Sequence, residues 1–399
     1  MDKVLKYKII LFTSILIITG ILFFIAVQQQ GESDDTNSLL VYNPGRVIQI
    51  LEDNTMFPHI DNPDATGTMK YLRQGTVLFE IEILRGEFKG EIFEAHYHMN
   101  SPSHIDFEVG DHVTVRIFEF NGEVLLTEVR YPSRIGHIVA MIAFFGIFLC
   151  AIGGKRGFVS LISLIFTIVC VIFILIPLIV AGFPVISVTL LILTLFTITT
   201  ITLLAGLTPK ALSSICGTLS GVLTASVFAL VAGQMLHISG YNLGNYRAII
   251  HLSGGARLGG LFISSVLVAA IGAIMDSTMS VASAMEEVLS ANPEITEKKL
   301  FKAGFNVSRD VIGTMSSTLI LAYIGGSLAM MIFMQASNVT FNQFINSDMI
   351  AIEIIMGIAG SMGIILSAPL TALIGTKLMT LKRNKLSKVE EQNDEFITN

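Results

Sequence analysis

The chain has 399 residues, of which 52% are hydrophobic and only 14% are charged, and its mean hydropathy is +0.70. A soluble domain carries about 25% charged residues, so this composition excludes an ordinary soluble enzyme and a disordered chain. The net charge is −6, but residues 28–134 carry 18 Asp/Glu and 8 Lys/Arg, a balance of −10, which leaves +4 for the rest. These totals predict a polytopic membrane protein with one acidic, polar block.

The first element in the chain is an apolar run at residues 9–27, preceded by Lys3, Lys6 and Lys8. The run is too long for a signal-peptide core and no small-residue cleavage site follows it, so we predict an uncleaved transmembrane anchor. Seven further runs are long enough to span the hydrocarbon core, which gives a prediction of eight spans. The seven are residues 135–153, 158–181, 185–206, 211–236, 258–285, 311–334 and 349–375.

The placement of Lys and Arg predicts the orientation of these spans. With the N-terminus in the cytoplasm, the inner segments hold fifteen Lys and Arg residues, whereas the short outer loops hold only Arg247 and Arg257. We therefore predict that both termini are cytoplasmic. The predicted domains are residues 1–27 (cytoplasmic N-terminus and first span), 28–134 (outer domain), 135–377 (seven-helix membrane domain) and 378–399 (cytoplasmic tail).

The acidic block reads as β-strands separated by turns. Residues 76–84, 112–120 and 123–130 contain alternating apolar positions, and the Asn121-Gly122 pair between the last two suits a tight hairpin. The predicted fold class is therefore an all-α membrane bundle with a small extracytoplasmic β-rich domain, for which an OB-like barrel is the candidate fold. Its negative charge would repel phosphate, so nucleic acid is excluded as a partner.

The strongest functional candidate is Asp276, which stands alone as a charge within the sixth predicted span. Ionisable residues within spans are costly and usually mark an ion pathway or a proton relay. The alternative is a packing carboxylate that bonds a Ser or Thr on a neighbouring span. Thr278 follows it two residues later and joins it as a candidate.

The seventh span and its cytoplasmic edge supply further pathway candidates, namely Arg309, Asp310, Thr314 and Thr318. The hydroxyls recur about one helical turn apart, and we expect them to face Asp276 across a helix pair. Arg309 also fits an ordinary positive-inside anchor. Glu353 in the last span is either a further pathway group or a residue that reaches the interface.

Other polar and small residues have simpler interpretations. His96 and His98 would share one side of a strand, as in a metal site, but histidines also simply avoid the lipid core, so no metal site and no cofactor is assigned. Gly217 and Gly221 form a GxxxG pair that favours helix packing, and Pro177 is expected to kink its span. The chain lacks the common nucleotide-binding, serine-hydrolase and zinc-protease motifs, so we do not expect an enzyme.

Three stretches of the membrane region are rich in glycine or polar residues: Gly254-Gly-Ala-Arg-Leu-Gly-Gly260, the run from Gly272 through Asp276 to Glu287, and Asn306-Val-Ser-Arg-Asp-Val-Ile-Gly-Thr314. In these stretches the chain resembles the YibE/F family of bacterial membrane proteins. The resemblance covers roughly residues 135–377 and implies a multi-pass protein of the bacterial plasma membrane. It implies no settled biochemical activity.

A weaker resemblance concerns residues 272–321, which are similar to the fourth and fifth spans of SecD/SecF-type proteins of the RND permease class. The matching positions are Asp276, Thr278, Glu286, Glu287, Arg309, Thr314 and Thr318. In that class the aspartate handles the protons that drive an outer domain, so the resemblance implies proton coupling. This chain differs in having eight predicted spans where such a half has six, and in its small outer block.

Two functional hypotheses follow. The first is a proton- or cation-coupled secondary transporter or export accessory, in which Asp276 is the coupling group. The second is a non-transporting membrane scaffold or envelope sensor that acts through its outer domain. The expected partners are the lipid bilayer and either a second copy of the chain or a second membrane subunit, and the sequence names no cargo.

Overall fold

The structure is a computed structural model that describes residues 38–56, 73–99, 105–120, 123–239, 241 and 260–398. The first predicted span, at residues 9–27, lies outside the described residues, as do the Asn121-Gly122 turn and most of the segment around Arg257. The described chain divides into two compact units, residues 38–148 and residues 149–398.

The first unit contains a closed barrel of five strands in the order β1-β2-β3-β5-β4. The strands are β1 (Ser38–Met56), β2 (Gln74–Ile83), β3 (Ile92–Met99), β4 (His112–Phe120) and β5 (Glu123–Pro132). All neighbouring pairs are antiparallel except β3 with β5, which pair in parallel where His96 lies opposite Glu128. The predicted β-rich domain is therefore confirmed, with two strands, β1 and β3, that the sequence did not predict.

The barrel closes because β1 is long enough to pair with two strands. Its first half pairs with β4 and its second half with β2, and the changeover falls at Gly45 and Arg46. A Cβ on Gly45 would lie 2.5 Å from Ile81 Cγ2, so this close approach requires glycine. Alternate residues of every strand fill the interior, among them Phe79, Ile81 and Ile117, which are almost fully buried.

The helices follow in chain order. They are α1 (Ile135–Cys170), α2 (Ile176–Val180), α3 (Val185–Ala205), α4 (Pro209–Met235), α5 (Leu261–Ala291), α6 (Glu297–Ala336), α7 (Phe341–Ile345) and α8 (Asp348–Thr398), with a π-helical turn at Val171–Leu175. Six of the described helical stretches are long and apolar enough to cross a membrane. The predicted count of eight spans is thus not confirmed.

Of the two spans that separate eight from six, one is the predicted span at residues 9–27, outside the described residues, and the other lies in α1 and α2. The predicted spans 135–153 and 158–181 fall on either side of a kink in the stretch Ile135–Val180, whose 46 residues count as one of the six. Gly154 breaks the helix geometry inside it, with φ 53° and ψ −135°, a conformation that only glycine adopts without strain. The π-helical turn stands just before Pro177, whose ring and missing N–H disturb the regular hydrogen-bond ladder.

The core of the second unit lies where α4, α5 and α8 meet. Phe262, Val266 and Ile274 of α5 are almost fully buried there against small residues of α4 and α8. Hydroxyl pairs also join neighbouring helices, such as Ser163 to Thr200 at 2.7 Å and Thr189 to Ser264 at 2.8 Å. In contrast, α6 lies at the edge of this unit, since only 11% of the residues in its most apolar stretch are buried.

Candidate functional site in the membrane helices

Asp276 lies at the middle of α5, fifteen residues from Leu261 and fifteen from Ala291. Its side chain is exposed on the surface of the unit, whereas Ile274, Ser277 and Thr278 beside it are fully buried. Within the described residues the carboxylate forms no hydrogen bond and no ion pair. The helix therefore presents an unpartnered acid, at mid-span, on the side turned away from its own core.

Thr278 is separated from Asp276 by about 200° of helix rotation and lies in the core. Its hydroxyl is 2.8 Å from the Thr218 hydroxyl of α4 and also donates to the Met275 carbonyl at 2.9 Å. The Ser214 hydroxyl donates to the Thr278 carbonyl at 3.3 Å. These bonds join α4 to α5, so the structure does not bring Thr278 together with Asp276.

The packing of α5 against α6 shows which residues of α6 lie at the same height along the helix pair as Asp276. A Cβ on Gly304 would lie 2.5 Å from Met285 Sδ, so these residues face each other in the antiparallel pair. Asp276 is nine residues before Met285, and Gly313 is nine residues after Gly304. The carboxylate is therefore level with Gly313 and Thr314.

The exposed side of α6 is polar at this level. Arg309, Asp310, Thr314 and Thr318 are all exposed. The two threonine hydroxyls donate to carbonyls of their own helix, Thr314 to Asp310 at 3.1 Å and Thr318 to Thr314 at 2.9 Å. Each hydroxyl oxygen keeps a second lone pair, and a Cβ on Gly313 would meet nothing within 4 Å. Among the described residues this surface is therefore open to a neighbouring helix.

Glu353 belongs to a different contact, between α6 and α8. It is half-buried one turn before Gly357, and a Cβ on Gly357 would lie 3.7 Å from the Tyr323 ring. The Tyr323 hydroxyl is buried without a hydrogen-bond partner in the described part of the chain. Sequence reasoning did not single out Tyr323, although a tyrosine within the apolar α6 span is an available signal.

The described residues of the barrel form no comparable site. His96 and His98 lie on the outer face of β3 with their rings stacked 6.2 Å apart, and His98 Nδ1 is 3.0 Å from the Thr76 hydroxyl. Among the described residues no group of three or more His, Cys, Asp or Glu is arranged to hold a metal ion.

Part of the acidic charge of the barrel is neutralised by arginines. Arg73 pairs with Asp53 and with Asp106, and Arg116 pairs with Glu128. The Thr55 hydroxyl donates to Asp53 at 2.5 Å and, helped by Arg73, holds the pKa of that carboxyl below its usual range. The barrel surface otherwise remains negative.

Long apolar helices with a mid-span carboxylate define the chain as a multi-pass membrane protein. The profile of the YibE/F-like protein family matches residues 141–381, more than half of the chain, so the chain belongs to the YibE/F-like family. No curated protein and no solved structure matches the chain. The weaker resemblance to SecD/SecF-type spans stays a prediction.

Proposed function

We propose that the chain is the membrane subunit of a proton- or cation-coupled secondary transporter or export accessory, rather than an enzyme. Asp276 is the coupling carboxylate, and a second copy of the chain completes its site. The observation that carries this proposal is the exposed, unpartnered Asp276 at the middle of α5.

The cost of such a carboxylate in lipid supports the proposal. Placing an aspartate at the centre of a spanning helix costs about 3 kcal/mol on insertion scales, and such residues almost always face water or protein. Among the described residues Asp276 has no polar partner. A partner that covers Asp276 would shield the carboxylate from lipid. Within that contact the carboxylate can alternate between a protonated form and an ion-bound form.

A second copy is the partner that fits the neighbouring surface. The exposed side of α6 level with Asp276 carries Gly313, Thr314 and Thr318, and small and hydroxyl residues let membrane helices approach closely and bond across the contact. Arg309 and Asp310 at the end of this side have opposite charges, which suits a self-complementary contact between two copies.

In this proposal the acidic barrel is an OB-like outer domain that handles cargo or a partner protein, and both termini face the cytoplasm of a bacterium. The strand order, with β1 paired to both β2 and β4, supports the OB-like assignment. The excess of Lys and Arg in the inner segments supports the orientation.

The test is flux in sealed vesicles that contain the full chain under an imposed pH gradient, read with a pH-sensitive dye across a panel of metal ions and amphiphiles. Asp276→Asn should reduce flux to the level of protein-free vesicles, because the amide does not titrate. Glu287→Gln is the matched control, since Glu287 is an exposed acid on the same helix but lies near its end.

Equal flux in native chain and Asp276→Asn would disprove the coupling role. Glu353→Gln, at the α6–α8 contact, tests whether a second carboxylate belongs to the pathway. Loss of flux in Glu353→Gln alone would move the coupling group to that contact.

The alternative is a scaffold or envelope sensor that acts through the barrel. The exposed apolar residues on the barrel favour it, because side chains such as Val109, Leu125 and Tyr131, exposed by 57–64%, suit a protein contact. In that case no variant carries gradient-driven flux, and lysine substitutions at these three positions remove function while Asp276→Asn does not.

A further inference from the structure

A polar cavity of about 370 Å³ lies at one end of the helical unit, where α4 begins and α5 ends. Its charged lining consists of Lys210, Glu286, Glu294, Lys382 and Arg383. This end of the unit coincides with the ends of two apolar helices, which is the level of lipid headgroups in a membrane.

The walls of the cavity are held by contacts that leave one cation available. Lys210 Nζ is 3.1 Å from a Glu286 carboxylate oxygen. Arg383 Nη1 donates to the carbonyls of Pro293 at 2.9 Å and Ile295 at 2.8 Å, which fixes the loop after α5. In the described part of the chain Lys382 has no ion pair, so its ammonium group is free to meet an anion.

The charge of the cavity favours a negative ligand. Three cations and two carboxylates line it, a balance of +1, and the Lys210–Glu286 pair cancels one charge of each sign. The first turn of α4, beginning at Pro209, also borders the cavity, and the N-terminal end of a helix carries a partial positive charge.

A second cavity, of about 330 Å³ and almost entirely apolar, shares Pro209 with the first. Leu207, Leu212, Ile215 and Leu378 line it, and Leu378 is adjacent in sequence to Met379 of the polar cavity. Leu207 and Leu212 are 54% and 48% exposed. The polar cavity and this apolar cavity, which forms a groove, therefore lie on either side of Pro209.

We propose that these two cavities together bind one phospholipid. Its phosphate lies against Lys382, and one acyl chain lies in the groove along Leu212 and Leu378. Basic pockets between membrane helices at the headgroup level bind anionic lipid heads, and the balance of +1 selects a net negative headgroup over a zwitterionic one.

The experiment measures lipid retention by native mass spectrometry of the full chain in detergent, with phosphatidylglycerol and phosphatidylcholine of matched acyl chains. The native chain should retain phosphatidylglycerol more strongly. Lys382→Gln should weaken it about fivefold, the effect of one lysine near a headgroup. Lys377→Gln is the matched control, an exposed lysine of α8 outside the cavity, and should leave retention unchanged.

The apolar half of the site has its own pair of variants on α4. Leu212→Asn should weaken retention of phosphatidylglycerol, whereas Leu223→Asn, at another exposed leucine of α4 that lies outside the groove, should not. Circular dichroism and size-exclusion profiles that match the native chain establish that the variants are folded.

Two outcomes would overturn the proposal. One is equal retention of phosphatidylglycerol by Lys382→Gln and Lys377→Gln. The other is displacement of the lipid by millimolar inorganic phosphate, which would make the polar cavity a site for a free anion and leave the groove without a role.

Discussion

Asp276 and Thr278 are only two residues apart on α5, yet they lie in different surroundings. Asp276 is exposed at mid-span, whereas Thr278 is fully buried and bonded to Thr218. Side chains two positions apart on a helix point in nearly opposite directions, so the sequence already contained the reason to separate them. The proposed pathway therefore rests on Asp276 and the exposed side of α6.

Thr278→Val tests whether Thr278 stabilises helix packing. The valine keeps the shape and removes the bond to Thr218, so we expect the free energy of unfolding to fall by about 0.5–2 kcal/mol, the range for hydrogen bonds between membrane helices. Denaturation in mixed detergent micelles measures this change. A double-mutant cycle with Thr218→Val isolates the pair.

Thr224→Val on α4 is the control for this cycle, because among the described residues the Thr224 hydroxyl bonds only the Ser220 carbonyl of its own helix. If Thr278→Val instead removed flux and left the unfolding free energy unchanged, Thr278 would belong to the pathway after all.

At the scale of elements, the apolar runs located the helices well but not their ends. α3 and α4 begin within two residues of the prediction. α6, however, begins at Glu297, fourteen residues before its predicted span, because the polar segment before that span is helical and continues into it. Hydropathy marks where a helix enters lipid, whereas hydrogen bonding decides where it starts.

The glycines of α4 allow close packing, as the GxxxG pair predicted. A Cβ on Gly217 would overlap the Thr371 hydroxyl of α8, and one on Gly221 would lie 2.7 Å from Ile274 Cγ2 and 2.8 Å from the Gly363 carbonyl. Backbone atoms and buried side chains border both glycines, and these neighbours cannot move aside easily to admit a Cβ.

Gly221→Ala should therefore lower the free energy of unfolding by about 1–3 kcal/mol, because the added methyl group forces α4 away from α5 and α8. Gly326→Ala on α6 is the control, since a Cβ there meets nothing within 4 Å. Unfolding in mixed micelles compares the two, and equal stabilities would contradict the packing described for α4.

The barrel shows why some strands escaped prediction. β3 buries only Ala95, Tyr97 and Met99 between exposed polar residues, so its apolar alternation is weak. In β1 the register shifts between Val47 and Gln49 and again between Ile50 and Glu52, which breaks the period of two. β1 is defined by its pairing with β2 and β4, because its local sequence has no regular alternation of apolar residues.

At the scale of the whole molecule, the exposed side of α6 is where a second copy is expected. Gly313→Leu should abolish most dimers in lipid nanodiscs, because the side chain blocks close approach, while the monomer stays folded, since a Cβ at Gly313 meets no neighbour. Mass photometry measures the dimer fraction.

Gly326→Leu serves as the comparison, because Gly326 lies about 140° around α6 from Gly313. It should leave the dimer fraction unchanged. If both variants formed the same fraction of dimers as the native chain, this side of α6 would be excluded as the contact. Asp276 would then need another partner.

The sequence by itself determined that the chain is a multi-pass membrane protein, where most spans lie, and that Asp276 is exceptional. These properties are sums of transfer free energies over neighbouring residues, which need no knowledge of distant contacts. Only the tertiary structure decided that Asp276 faces outward, that five strands close into a barrel and that Lys210 meets Glu286 beside Lys382. Each of these depends on the rotation of a helix or on the pairing of segments far apart in the chain, and packing of the whole core sets both.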